Sequence, residues 1–416
     1  MSASTGKNLP EGPKTGKTTF GEQLAKTWMK AAIVLVAALA AVLVVSLFIA
    51  DLVPGADWPA YVDNPWFRSA VCLAIIVLAC LIVNSFSDVL NQPWVRAFIA
   101  LAIVLVIGLN FNANGSFLRW NTHRDMLRQT AVYGMLATGM TLVIITGGID
   151  LGVGSIIAMV AVTYSLLLMA WGNEHWYNQP AAVIPICLLI GLATGLWNGF
   201  LIGRLKFQPF IATLAMMTFG RGFAKYIPNG RKVMNVTLHD DGTFTYNPTF
   251  PEITEWLNSR IWNNNLAIVT IIMVCCMILA WIVLNKLTWG RYIFAIGGNE
   301  EAARLSGVPV LATKMLTYGL CGLFCAVAGM CQSAQEYQGD PEAGIGYELT
   351  AIGMVVIGGT SLAGGRGAMG LTLIGVLTMG YLSKILSLNA VVEASRLMLT
   401  AVIIIFAVLF QSTRRK

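Results

Sequence analysis

The chain has 416 residues, of which 56% are hydrophobic and only 11% charged, against about 25% charged in an ordinary soluble domain. A single water-soluble core is excluded, because too few polar groups exist to cover its surface. The formal net charge of +7 does not mark a nucleic-acid surface, since the basic residues are dispersed through loops and not gathered with aromatics on one patch.

Residues 1–29 carry Lys7, Lys14, Lys17 and Lys26 among Gly and Pro, without an apolar core, and read as a disordered basic cytoplasmic tail. The stretch GPKTGKTT at 12–19 imitates a phosphate loop. That loop needs four residues between its glycines; Gly12 and Gly16 are separated by three, and Glu11 stands where the first glycine belongs. The tail therefore carries no ATP site.

A bilayer core of about 30 Å takes roughly 20 apolar residues per helix. Apolar runs of that kind are read at 30–50, 68–87, 94–111, 126–146, 152–170, 181–203, 209–227, 265–284, 315–332, 348–363, 368–386 and 396–411. No small-residue cleavage site follows the first, so it reads as a span and not a signal peptide. The runs 94–111, 348–363 and 396–411 are short and suit broken or re-entrant segments packed in protein. The fold expected is an all-α polytopic membrane bundle.

Lys and Arg set the orientation. With the N-terminus inside, the inner segments hold 15 of the 27: five in and beside the tail (with Lys30), Arg204, Lys206, Lys286, Arg291, Arg304, Lys314, Arg366, Arg414, Arg415 and Lys416. The outer loops hold five: Arg119, Arg124, Arg231, Lys232 and Arg260. This bias predicts both termini in the cytoplasm and an even number of spans. Trp58, Trp66, Trp94 and Trp262 lie near run ends, as interfacial anchors do.

All eight cysteines lie in or at the end of apolar runs and none forms a CxxC pair, so they read as buried small hydrophobes, with no disulfide framework or zinc site. His123, His175 and His239 fall in three different outer loops and read as lone surface histidines. Gly191, Gly195, Gly199 and Gly203 recur every four residues along one run. They give a small-residue face for close helix contact; lining a path or forming a hinge is the competing role.

Polar groups at membrane depth are candidates for a translocation path. They are Asp150, Asn198, Gln208, Thr213, Arg221 and Glu348. Asp150, in TGGIDLGVGS between two runs, is expected to cap the following helix or to sit at the cytoplasmic edge. Arg221 lines a path, anchors at the outer surface or pairs structurally.

The inner loop 285–314 contains GGNEEAARLSGVP at 297–309. Asn299 suits an N-cap, and Glu300 and Glu301 complement the helix dipole in the first turn. Gly307 can close the helix in the left-handed conformation and Pro309 stops its resumption. A short helix over 300–306 follows, too short to stand alone. It is either a simple connector or a helix offered to a partner.

Glu301-Ala302-Ala303 with Gly307 resembles the EAA-x-x-x-G coupling loop of binding-protein-dependent ABC importer permeases. TLVIITGGIDLGVGSIIAM at 141–159, QPFIATLAMMTFGRGFA at 208–224 and ELTAIGMVVIGGTSLAGGRGAMG at 348–370 fall in the same order as in the ribose, xylose and galactoside permease family. The resemblance covers about 94–411. It implies a ten-span permease domain over 94–416, preceded by an extra pair of spans in 30–93, and Asn299, Glu300, Glu301, Ala302, Ala303, Arg304 and Gly307 as the ATPase-coupling segment. It also implies a monosaccharide cargo delivered by a periplasmic binding protein, a second permease copy or related permease, and separate ATPase subunits that hold ATP and magnesium. The chain itself would be no enzyme, bind no cofactor and lie in the bacterial inner membrane. Arg366, where an uncharged residue is expected, reads as an inner anchor. A twelve-span ion-coupled transporter would call for more buried titratable groups, and a membrane enzyme for a convergent acid, base or metal set; the sequence offers neither.

Overall fold

The computed structural model describes residues 92–412 apart from 112, 114, 171–174, 235, 239–243 and 247–251. The basic tail, nearly all of the 30–93 pair, Cys72, Cys80 and His239 lie outside the described residues.

Thirteen α-helices lie among the described residues. They are α1 (Pro93–Asn110), α2 (Trp120–Ile145), α3 (Val153–Ser165), α4 (Pro180–Gly203), α5 (Pro209–Tyr226), α6 (Glu252–Asn258) and α7 (Ile268–Asn285). After these come α8 (Thr288–Gly298), α9 (Glu300–Leu305), α10 (Val310–Glu336), α11 (Tyr347–Ile357), α12 (Met369–Leu388) and α13 (Glu393–Ser412). Of the described helices, α1, α4, α7, α10 and α12 are long and apolar enough to cross a membrane. Three short antiparallel pairs decorate them: β1 (Val233–Met234) with β6 (Gln338–Gly339), β2 (Val236–Leu238) with β3 (Phe244–Tyr246), and β4 (Arg260–Ile261) with β5 (Leu266–Ala267).

Local sequence explains many boundaries. Helices α1, α4 and α5 each open on Gln-Pro, with Gln92, Gln179 and Gln208 extended and the proline in the first turn. Proline suits that position because its ring fixes φ and its missing N–H would have no helical partner there. The centre of the bundle is α3, in which every residue but Thr163 is buried. A helix apolar all round belongs in the interior. Around it α10 is the hub, packing on α4, α2 and α3.

The glycine face of α4 packs, as one of its two expected roles requires. A β-carbon on Gly199 would lie 2.6 Å from the Met315 Cα, and one on Gly203 2.9 Å from Leu311. Gly191 and Gly195 meet the carbonyls of Gly322 and Tyr318 even more closely. The two backbones touch because neither helix puts a side chain between them.

Several expectations need correction. The inner loop 285–314 holds a second helix, α8, whose Gly290, Ile293 and Ile296 form its buried face. Helix α10 runs well past the apolar run at 315–332 at both ends, so Lys314 belongs to the helix and not to the loop. Helix α2 begins at Trp120, which places His123 and Arg124 in its first turns. His123 is no lone surface residue: its Nδ1 is 3.2 Å from the Tyr381 hydroxyl and its ring meets Phe117 edge-on. His175 stacks on Tyr177. The described cysteines are free and buried except Cys275, which is exposed on α7. The run 348–363 is helical only to Ile357; Gly359, Gly364 and Gly365 then take positive φ. At 11 residues α11 is about 16 Å long, half a bilayer core.

Candidate functional site

The chain breaks between α2 and α3. Helix α2 ends at Ile145 with Thr146 as its C-cap, and Gly147 follows at φ +80°. Asp150, fully buried, accepts the Gly152 N–H at 2.8 Å through Oδ1. Gly152 is itself the N-cap of α3 and makes no side-chain cap bond. Asp150 thus shapes the approach to α3 and does not cap its first turn as expected; the carboxylate sits two residues before the N-cap.

Two distant segments close on this break. Gly365 donates its N–H to the Ile145 carbonyl at 2.9 Å. Gly297, near the end of α8, abuts the same carbonyl, with no room for a side chain. On another side the Thr213 hydroxyl of α5 donates to the Ile149 carbonyl at 3.3 Å. The four motif stretches, up to 220 residues apart in the chain, therefore meet at one end of the bundle. Arg366 is exposed at that same end.

A cavity of about 410 Å³ lies between them. One wall is the break, with Thr146 and Gly148; a second is the α4–α5 connection, with Lys206 and Gln208; a third is Glu300, Lys314 and Tyr318. Behind Gly148 and Tyr318, Asn198 lies against the Asp150 carboxylate without meeting hydrogen-bond geometry. Among the described residues, the second Asp150 oxygen, the Asn198 amide and the Tyr318 hydroxyl have no hydrogen-bond partner.

Helix α9 forms the rim, with the predicted ends to within a residue. Asn299 Oδ1 accepts the Ala302 N–H at 3.0 Å, and Gly307 has φ +80°. Its six residues divide by direction. Ala303 is buried with Ile296 and Val310. Glu300 points inward, with Oε2 2.7 Å from the Lys314 ammonium and Oε1 3.5 Å from that of Lys206. Burial acts to raise the Glu300 pKa, but the Lys314 hydrogen bond and charge, followed by Lys206, hold it below the ordinary carboxylate value of 4.5. Glu301 and Arg304 pair with each other on the outside, and Leu305 is 81% exposed.

Of the predicted path residues, Gln208 lines this cavity, and Asp150, Asn198 and Thr213, all fully buried, gather at the α2–α3 break beside it. Arg221 and Glu348 do not. Arg221 donates to the Pro341 and Ala343 carbonyls at 2.6 and 2.8 Å. Lys225 pairs with Glu342 at 2.9 Å and Lys232 with Asp340 at 2.8 Å, so three cations fix the segment that leads into α11. Glu348 lies where that segment packs on Gly154 of α3. In the sequence, Lys206 and Lys314 stand out only in the inside–outside charge count, and Tyr318 not at all. A lysine one turn into a long apolar helix is the signal that marks Lys314, since such a cation needs a partner.

The described helices fit a multi-pass all-α membrane protein. The chain belongs to the family described as branched-chain amino acid transport system / permease component, whose model matches residues 124–408. It is 37% identical over 308 residues to the ribose import permease protein RbsC of Escherichia coli (strain K12), covering 72% of this chain and 88% of that protein. It is 38% identical over 296 residues to RbsC of Bacillus subtilis (strain 168), covering 71% and 86%. The L-arabinose transport system permease protein AraH of Escherichia coli (strain K12) is 35% identical over 285 residues, covering 68% and 80%. No solved structure matches the chain. The membership inferred from the four motifs is borne out.

Proposed function

We propose that this chain is the permease subunit of an ATP-driven ABC importer that carries a monosaccharide of the pentose or hexose class across the bacterial cytoplasmic membrane. It works as one of a permease pair, with an identical or related chain. A periplasmic binding protein delivers the sugar and separate subunits bind ATP and magnesium. Both termini lie inside, and ten family-type spans follow the extra N-terminal pair.

The observation that carries this reading is α9. Six residues cannot form a stable helix alone. This one is capped, anchored through Ala303 and Glu300, and leaves Glu301, Arg304 and Leu305 outward. A connector has no need of such a face, whereas a motor subunit needs something to grip. The same end carries Arg204, Lys206, Arg304, Lys314 and Arg366, in keeping with a cytoplasmic side. The sugar class rests on the relatives. The family description names amino acids, but the relatives given above are sugar permeases.

Purification from the native host in mild detergent, followed by native mass spectrometry, is the test. Two ATPase subunits per permease pair are expected. Uptake should collapse on ATP depletion, survive an uncoupler at maintained ATP, and be competed by ribose or arabinose. Competition by leucine alone would move the cargo to amino acids. A clean oligomer with no ATPase, active without ATP, would replace the importer by an ion-coupled carrier.

A further inference from the structure

Glu300 faces two cations from two different parts of the bundle. Lys314 belongs to α10, the hub, and its side chain is 10% exposed. Lys206 belongs to the connection between α4 and α5 and has φ +60°. A lysine in the left-handed region is strained, and such strain clusters where geometry serves function. A glycine would take this conformation freely, so the backbone alone gives no reason for a lysine. What the lysine adds is an ammonium beside Glu300. Tyr318 stands one helical turn beyond Lys314 and lines the same cavity, against the α2–α3 break.

Resting on the importer reading above, we propose that Glu300, Lys314 and Lys206 form an ionic clasp that transmits displacement of α9 to α10 and to the α4–α5 connection. Lys314 and Lys206 are positioning residues of the transport cycle; they act through α9 and touch neither ATP nor cargo. Glu301 and Arg304 are left for the motor subunit. The clasp suits this task because two cations share one carboxylate at unequal distances. A small shift of α9 exchanges the closer partner, and the pair at the cavity rim is less screened than a free surface pair. Coupling between sites requires contacts that differ between two states, and an exchangeable ion pair is such a contact.

The experiment uses the full chain with its co-purified partners in proteoliposomes and reads ATP hydrolysed per sugar carried. Glu300→Gln and Lys314→Met should each raise that ratio on the order of tenfold, within the range of site-to-site coupling. The double variant should be no worse than either single one, because both remove the same interaction. Lys314→Arg should keep a near-normal ratio. Lys206→Gly separates coupling from folding: relief of backbone strain should leave the melting temperature no lower, yet the ratio should rise. Amide exchange of α9 gives a reading independent of any motor, with faster exchange at 302–306 expected in Glu300→Gln.

Additive single effects, or an unchanged ratio in both Glu300→Gln and Lys206→Gly, would overturn the clasp while leaving the importer reading intact. If no ATPase co-purifies with the wild-type chain, the importer reading fails. Unchanged α9 exchange in Glu300→Gln would then overturn the clasp as well.

Discussion

Gly195 of α4 lies so close to Tyr318 of α10 that a β-carbon on residue 195 would overlap the Tyr318 carbonyl oxygen. The same tyrosine lines the cavity and sets its hydroxyl against Gly148 of the α2–α3 break. Packing between two helices and the shape of the functional junction are therefore one property.

Gly195→Val should force α4 away from α10. Overpacking a close contact costs about 1–3 kcal/mol or more, so thermal stability in detergent should fall clearly. Gly222→Ala is the control: a β-carbon there meets nothing within 4 Å, and alanine is the better helix former. Equal melting temperatures for the two variants would show that α4 can shift without loss.

Asn299→Ala removes the bond to the Ala302 N–H at 3.0 Å. Loss of an N-cap costs about 1 kcal/mol, a large share for a six-residue helix. Gly307→Val places a β-branched residue at φ +80° and should disturb the other end. Both variants should reach the membrane and transport poorly, with ATP hydrolysis uncoupled from uptake. Unchanged uptake in both would make α9 a connector.

Arg221→Met leaves the carbonyls of Pro341 and Ala343 without their donor. A hydrogen bond to a charged group contributes about 1.5–3 kcal/mol. Amide exchange and proteolysis across 337–347 should accelerate. Arg221→Lys should restore this only in part, because an ammonium lacks the planar fork. Full protection in Arg221→Met would assign the segment to the Lys225–Glu342 and Lys232–Asp340 pairs alone.

The clasp has a defined pH dependence. The folded Glu300 pKa lies below its ordinary 4.5. Its stabilisation is thus fully present above that ordinary value and is lost as pH falls through the lower folded value. The melting-temperature gap between wild type and Glu300→Gln should stay constant from pH 8 to pH 5 and shrink only in stronger acid. A gap that closes between pH 7 and pH 5 would contradict the ion pairing.

The sequence by itself determined what depends on composition and on neighbours along the chain. A composition with so few charges leaves lipid as the only solvent for its surface, which gives the membrane class. The limits of α9 were legible because a cap, an acidic first turn and a left-handed glycine act within the nine residues 299–307. The motif order gave the family.

Only the tertiary structure decided which cation answers which anion. Lys206 and Glu300 are 94 residues apart, and Arg221 is 120 from Pro341; hydropathy carries no record of such pairs. The full length of α10 was hidden for the same reason. Lys314 and Gln332 interrupt the apolar pattern, and they stay helical because Glu300 and Glu336 supply their partners. The α2–α3 break became a site only when packing brought Gly297, Gly365 and Thr213 to its carbonyls.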